Sequence, residues 1–161
     1  LGAKDFNEYL GHTVISYPTP PYAGYRFINE QTPSDAKVLV YGEARGFYLK
    51  REAILSSGDQ RSALELWADQ SADAAALAGK IRQKGVSYIL VNAAEIARLH
   101  RAPLITPAGL RVLDSFWKRY TARVFGVLDP KDRWVGVYKV LDDAQAAKPH
   151  PVEDLFAKKL N

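Results

Sequence analysis

Two uninterrupted apolar runs limit what this chain can fold into. Val38-Leu39-Val40-Tyr41 and the later VSYILV of residues 86–91 are almost wholly apolar, whereas a strand with one wet face alternates apolar and polar residues. Short runs of this kind fit strands covered by helices on both sides. The sequence between them has helical spacing, and a strand, a helical crossover and a second buried strand make a right-handed parallel unit. The runs therefore predict Lys37–Gly42 and Val86–Val91 as adjacent parallel central strands. The fold class is α/β: a three-layer α/β/α sandwich with a Rossmann-like open mixed sheet.

Around these strands the remaining elements follow from punctuation. Pro18, Pro20 and Pro21 exclude helix, so residues 1–20 read as a linker or N-terminal extension. A helix starts at Pro21 and runs through Tyr22, Tyr25, Phe27, Ile28 and Asn29 until Pro33 stops it. Ser34 and Asp35 then turn into the first strand. A short second strand is expected around Ala53 to Leu55. Asp59 is the expected N-cap of a helix through Leu64 and Trp67, and Ser71 that of the next helix. The latter places Leu77 and Ile81 on one face, gathers Lys80, Arg82 and Lys84 near its negative end, and stops at Gly85. Asn92 and Glu95, at capping-box spacing, open a short helix, and Thr106-Pro107 open another lined by Leu110, Leu113 and Trp117. Tyr120–Val127 and Trp134–Leu141 predict an antiparallel hairpin closing one edge of the sheet. The α/β domain thus covers residues 21–141, followed by a polar tail, 142–161, with a short helix around Val152, Leu155 and Phe156.

Composition narrows the chemistry. The absence of Cys removes disulfides, thiol nucleophiles and Cys-ligated zinc, and leaves both cytosol and periplasm open. No apolar run approaches the roughly 20 residues that span a bilayer, so a soluble chain is expected. The chain lacks Met and begins at Leu1, which predicts either a processed product or, the favoured alternative, a piece of a longer protein. The net charge is +4, with 8 Lys/Arg against 10 Asp/Glu in residues 1–80 and 14 against 8 in 81–161. The basic second half could serve nucleic acid or an anionic membrane, but its cations are scattered and read as a solvated face.

Specific motifs are few. The first strand is followed by GEARG, which matches neither G-x-G-x-x-G nor a phosphate loop, so no nucleotide cofactor is expected. His12, His100 and His150 lie in unrelated segments without metal-ligand spacing. Ser87 and Ser115 lack a nucleophile elbow, and Asp142-Asp143 sit in the polar tail. No aromatic-basic signature of an RNA-binding sheet is present, so nucleic acid is not an expected partner. No catalytic or metal-binding residue is assigned.

What remains is Glu43 and Arg45, just past the carboxyl end of the first strand, where open α/β sheets place ligands. Two residues apart, they could present an acid beside a guanidinium to a hydroxyl-rich or anionic group. Equally, they could pair with each other or a neighbour and fix the loop. The second alternative is favoured.

The series YRFINEQTPSDAKVLVYGEARGFYLKR, a helical stretch, KGVSYILVN with a Glu three residues on, and a Tyr-bearing terminal strand VGVYKVL carry a resemblance. Together they resemble the C-terminal soluble domain of bacterial polytopic membrane glycosyltransferases, relatives of the dolichyl-phosphate-mannose and lipid-A aminoarabinose transferase class. The resemblance spans about residues 21–141, most of the chain. It implies a domain on the periplasmic side of the inner membrane, joined to a membrane domain of the same polypeptide. That membrane domain would bind a polyprenyl-phosphate sugar and carry the catalytic carboxylates. The present chain would be accessory to substrate binding or structural, with the lipid-linked sugar or glycan acceptor as a possible ligand and no cofactor. Gly42, Glu43, Ala44, Arg45 and Gly46 match a motif of the soluble domain only. Two other classes stay open: a free-standing small-ligand-binding domain using Glu43 and Arg45, and a partner-docking module using Trp117, Trp134 and the hairpin.

Overall fold

The computed structural model describes residues 21–56, 60–98, 104–128 and 134–145. Five strands form one open mixed sheet: β1 (Lys37–Tyr41), β2 (Glu52–Leu55), β3 (Val86–Asn92), β4 (Thr121–Leu128) and β5 (Trp134–Val140), ordered β2-β1-β3-β5-β4. β1 runs parallel to both β2 and β3, with Val40 opposite Leu55 on one side and Leu90 on the other. β5 runs antiparallel to β3 and β4, so the hairpin strands close one edge as expected. The turn between them lies outside the described residues, as do the 1–20 linker, Asp59, the three His residues and the helix of the tail.

The two apolar runs are continuous because alternate residues serve two cores. Leu39, Tyr41, Ile89 and Val91 face a cluster built with helices α2 (Ala63–Asp69), α3 (Ala74–Gln83) and α5 (Pro107–Tyr120), which contribute Leu64, Leu77, Ile81, Leu113, Phe116 and Trp117. Val38, Val40 and Leu90 face the opposite cluster, where α1 (Tyr22–Gln31) supplies Tyr25 and Ile28 and β5 supplies Val135 and Val137. The architecture is therefore three-layered, with one helix on one face of the sheet and three on the other. The short helix α4 (Ala93–Arg98) follows β3 directly and packs Ile96 on the larger cluster.

Helix starts show which polar side chain reaches the first amides. Ser62 caps α2, accepting from the Glu65 N–H at 3.1 Å while the Glu65 carboxylate accepts from the Ser62 N–H at 2.8 Å, a complete capping box. Asp59 is therefore not this cap. Nor does Ser71 cap α3: Asp73 does, accepting from the Ala76 N–H at 2.8 Å, while the Ser71 hydroxyl donates to the Trp67 carbonyl near the end of α2. Asn92 and Thr106 cap α4 and α5 as their spacing predicts. Tyr120 ends α5 rather than starting β4, because its buried ring belongs to the helix face that also carries Phe116.

Gly42 ends β1 with φ +80°, and a Cβ placed there would lie 2.4 Å from Ile96 Cγ1 and 2.9 Å from the Asn92 carbonyl oxygen. Both conformation and space demand glycine. Gly42→Ala should lower the free energy of unfolding by about 2 kcal/mol or more, read by chemical denaturation. Gly79, inside α3 with open space around its Cα, provides the opposite case. Gly79→Ala should leave stability unchanged or raise it by about 0.5–1 kcal/mol.

Candidate functional site

The carboxyl ends of β2, β1 and β3 share one rim of the sheet, and the turn at Gly42 directs Glu43 back into it. Glu43 is only 3% exposed, and its carboxylate is surrounded by donors. Oε1 accepts from the Arg45 backbone N–H at 2.9 Å and from Arg45 Nε at 2.7 Å, and Oε2 accepts from Arg45 Nη2 at 2.6 Å. The fourth donor comes from the neighbouring strand: Asn92 Nδ2 reaches Oε2 at 3.1 Å. Asn92 is the last residue of β3, and its Oδ1 accepts the Glu95 N–H at 3.2 Å as the cap of α4. One amide thus joins the ends of two central strands and starts a helix.

Arg45 forms the fork-to-fork pair with its inner edge and keeps 41% of its side chain exposed. The hydrogen bond to Glu43 raises its pKa above the ordinary guanidinium value, so its charge is permanent. On the other side, the Tyr25 hydroxyl of α1 donates to the Arg45 carbonyl. Burial raises the Tyr25 phenol pKa well above the usual value, and the negative charge of Glu43 adds to this while Arg45 opposes it.

The loop continues on a second brace. The Leu49 N–H donates to the Gly46 carbonyl at 3.0 Å, closing a turn. The Asn29 side chain of α1 donates to the Tyr48 carbonyl at 2.7 Å and accepts from the Lys50 N–H at 2.7 Å. Arg51 lies across the end of α1, donating to the carbonyls of Asn29 and Thr32, each at 2.9 Å, and of Pro33 at 2.8 Å. A cation is favourable at this negative helix end.

Glu43 and Arg45 are therefore brought together, but as partners of each other. A carboxylate has about four lone-pair sites, and donors of the same chain occupy four here. It has no acceptor position left for a substrate proton. A second buried acid, Glu65, is likewise enclosed, by the Ser62 N–H at 2.8 Å, the Tyr41 hydroxyl at 3.2 Å and the Leu104 N–H at 3.3 Å. The S-x-x-E spacing of Ser62 and Glu65 is the sequence signal that marks it.

Among the described residues the other candidates stay apart from this rim. Ser87 leans toward the Lys37 carbonyl at 3.5 Å, and Asp142 and Asp143 are exposed. Trp117 is buried, with its ring 5.0 Å from that of Tyr138. Among the described residues no group of three His, Cys, Asp or Glu side chains could hold a metal ion. No family model matches the chain, and neither a curated protein nor a solved structure matches it.

Removing Arg45 would leave the Glu43 carboxylate buried with two of its four hydrogen bonds lost. Fully buried pairs broken in this way lose about 3–5 kcal/mol; water at the outer edge of Arg45 reduces this. Arg45→Ala should therefore cost about 2 kcal/mol, and Arg45→Lys should recover little because an ammonium cannot make the fork. A melt of Arg45→Ala matching the parent would show that the pair holds nothing.

The raised phenols of Tyr25 and Tyr138, both caused chiefly by burial, set an alkaline limit. Their folded pKa values exceed the unfolded value near 10, so their contribution is whole below about pH 10 and is lost as pH rises above it. Tyr25→Phe should flatten the alkaline fall in stability, measured by denaturant midpoints from neutral pH upward.

Proposed function

We propose that the chain is the extracytoplasmic α/β domain of a membrane glycosyltransferase that uses a polyprenyl-phosphate-linked sugar. In this reading the domain is accessory: it supports substrate binding or holds the assembly, and transfer chemistry belongs to a membrane domain of the same polypeptide. The observation that carries the accessory role is the enclosed state of Glu43. The motif acid at the strand ends, where α/β enzymes keep their reactive groups, is bonded to Arg45 and Asn92. Glycosyl transfer needs a carboxylate able to reach the acceptor hydroxyl or the sugar, and Glu43 has the environment of a brace. The identity of the parent enzyme rests on the resemblance carried by the series YRFINEQTPSDAKVLVYGEARGFYLKR, KGVSYILVN and VGVYKVL.

The test is sugar transfer from a polyprenyl-phosphate donor. The purified chain alone should show none, and the complete gene product should show transfer. Transfer by the chain alone at a rate comparable with the complete product would overturn the accessory role. A gene without spanning segments of roughly 20 apolar residues adjacent to this chain would overturn the membrane enzyme itself.

A further inference from the structure

The loop that Glu43 organises ends in an unusual exposure. Phe47 is 93% exposed, with Tyr48 at 46% and Leu55 at 43%. Leu55 lies against Gly46, where an added Cβ would come within 2.9 Å of its Cδ1, so it sits beside the turn that carries the two aromatic residues. This is not a slack loop. Its backbone is tied at Arg45 by Tyr25, at Tyr48 and Lys50 by Asn29, and at its end by Arg51. The Tyr48 ring meets Tyr22 edge-on at 5.7 Å. A braced turn holds an unburied phenyl ring in water.

Within the loop itself the charge has one sign. Residues 44–51 (ARGFYLKR) contain Arg45, Lys50 and Arg51 and no acid. Glu43 offsets Arg45, and the nearby Glu52 pairs with Lys37 at 2.7 Å, leaving Lys50 and Arg51 as the surplus. Arg51 spends its hydrogen bonds on carbonyls, which leaves its charge in place. An apolar aromatic tip flanked by cations complements the boundary of an anionic bilayer, where rings enter the headgroup region and cations meet phosphates.

We propose that the turn Gly46–Leu49, led by Phe47 and flanked by Lys50 and Arg51, is a docking surface for a membrane rich in anionic phospholipid. Phe47 enters the interface and the two cations select its charge. Because the turn is held before contact, little conformational freedom is lost on docking. This surface is independent of any transfer activity, and its test uses the chain alone.

The experiment is co-sedimentation of the purified chain at millimolar lipid with vesicles of phosphatidylcholine, with or without phosphatidylglycerol. Partition should favour the phosphatidylglycerol vesicles and weaken with added salt. Phe47→Ala should lower it about tenfold or more, and Lys50→Ala roughly fivefold. Circular dichroism and a thermal melt should show both variants folded like the parent, since neither side chain is buried. No partition onto phosphatidylglycerol vesicles, equal partition onto pure phosphatidylcholine, or unchanged partition of Phe47→Ala would each overturn the proposal. Phe47-dependent binding of a soluble glycan or acidic peptide without vesicle binding would overturn it and reassign the surface. Failure here leaves the sugar-transfer reading standing, and a silent transfer assay leaves this one standing.

Discussion

The Glu43 carboxylate is the tie between the two central strands where their ladder ends. Past Tyr41 and Val91 the backbone pairs of β1 and β3 run out, and the chain departs in two directions, through the Gly42 turn and into α4. Asn92 reaching Glu43 continues the pairing with side chains, and Arg45 neutralises the charge that this places out of water. A buried acid without such partners would destabilise the rim. With them it positions the start of the loop at Ala44 and Arg45, and the contacts of Asn29 and Arg51 hold the rest.

That arrangement depends on the sheet being buried on both faces. Leu39 and Tyr41 are locked from the side of α2, α3 and α5, Val38 and Val40 from the side of α1. The end of β1 therefore cannot shift to suit its loop, and the loop must suit the strand. Tyr25 shows the link, since its ring is part of the α1 core and its hydroxyl holds the Arg45 carbonyl. Hydrophobic packing sets the position, and the polar network at the rim turns it into a defined surface.

How far the sequence foretold this varies with the range of the interaction. The central strands were readable because two-sided burial removes the polar residues that would otherwise interrupt Val38–Tyr41 and Val86–Val91. Caps were readable where one candidate stood alone, as at Asn92 and Thr106-Pro107. They were misread where polar residues crowd together, since Asp59 and Ser62, or Ser71 and Asp73, differ only in which side chain meets the third amide. The local pairing of Glu43 with Arg45 was one of two open alternatives at a spacing of two residues. Asn92 as their partner was not visible, because it depends on the parallel register that brings positions 49 apart together. The exposure of Phe47 was not visible either: a loop before the second strand is readable after Gly46, but which of its apolar side chains stays in water depends on the course of the loop.

Arg51 carries a consequence for how the molecule breathes. By closing the last carbonyls of α1 while Asn29 of that helix holds Tyr48 and Lys50, it makes the helix end and the loop a single cooperative patch. Local opening proceeds in such contiguous units. Fraying of α1 at its C-terminal turn therefore releases the loop as well. The amide of Lys50, in a loop that belongs by sequence to β2, should exchange with solvent at the pace of α1.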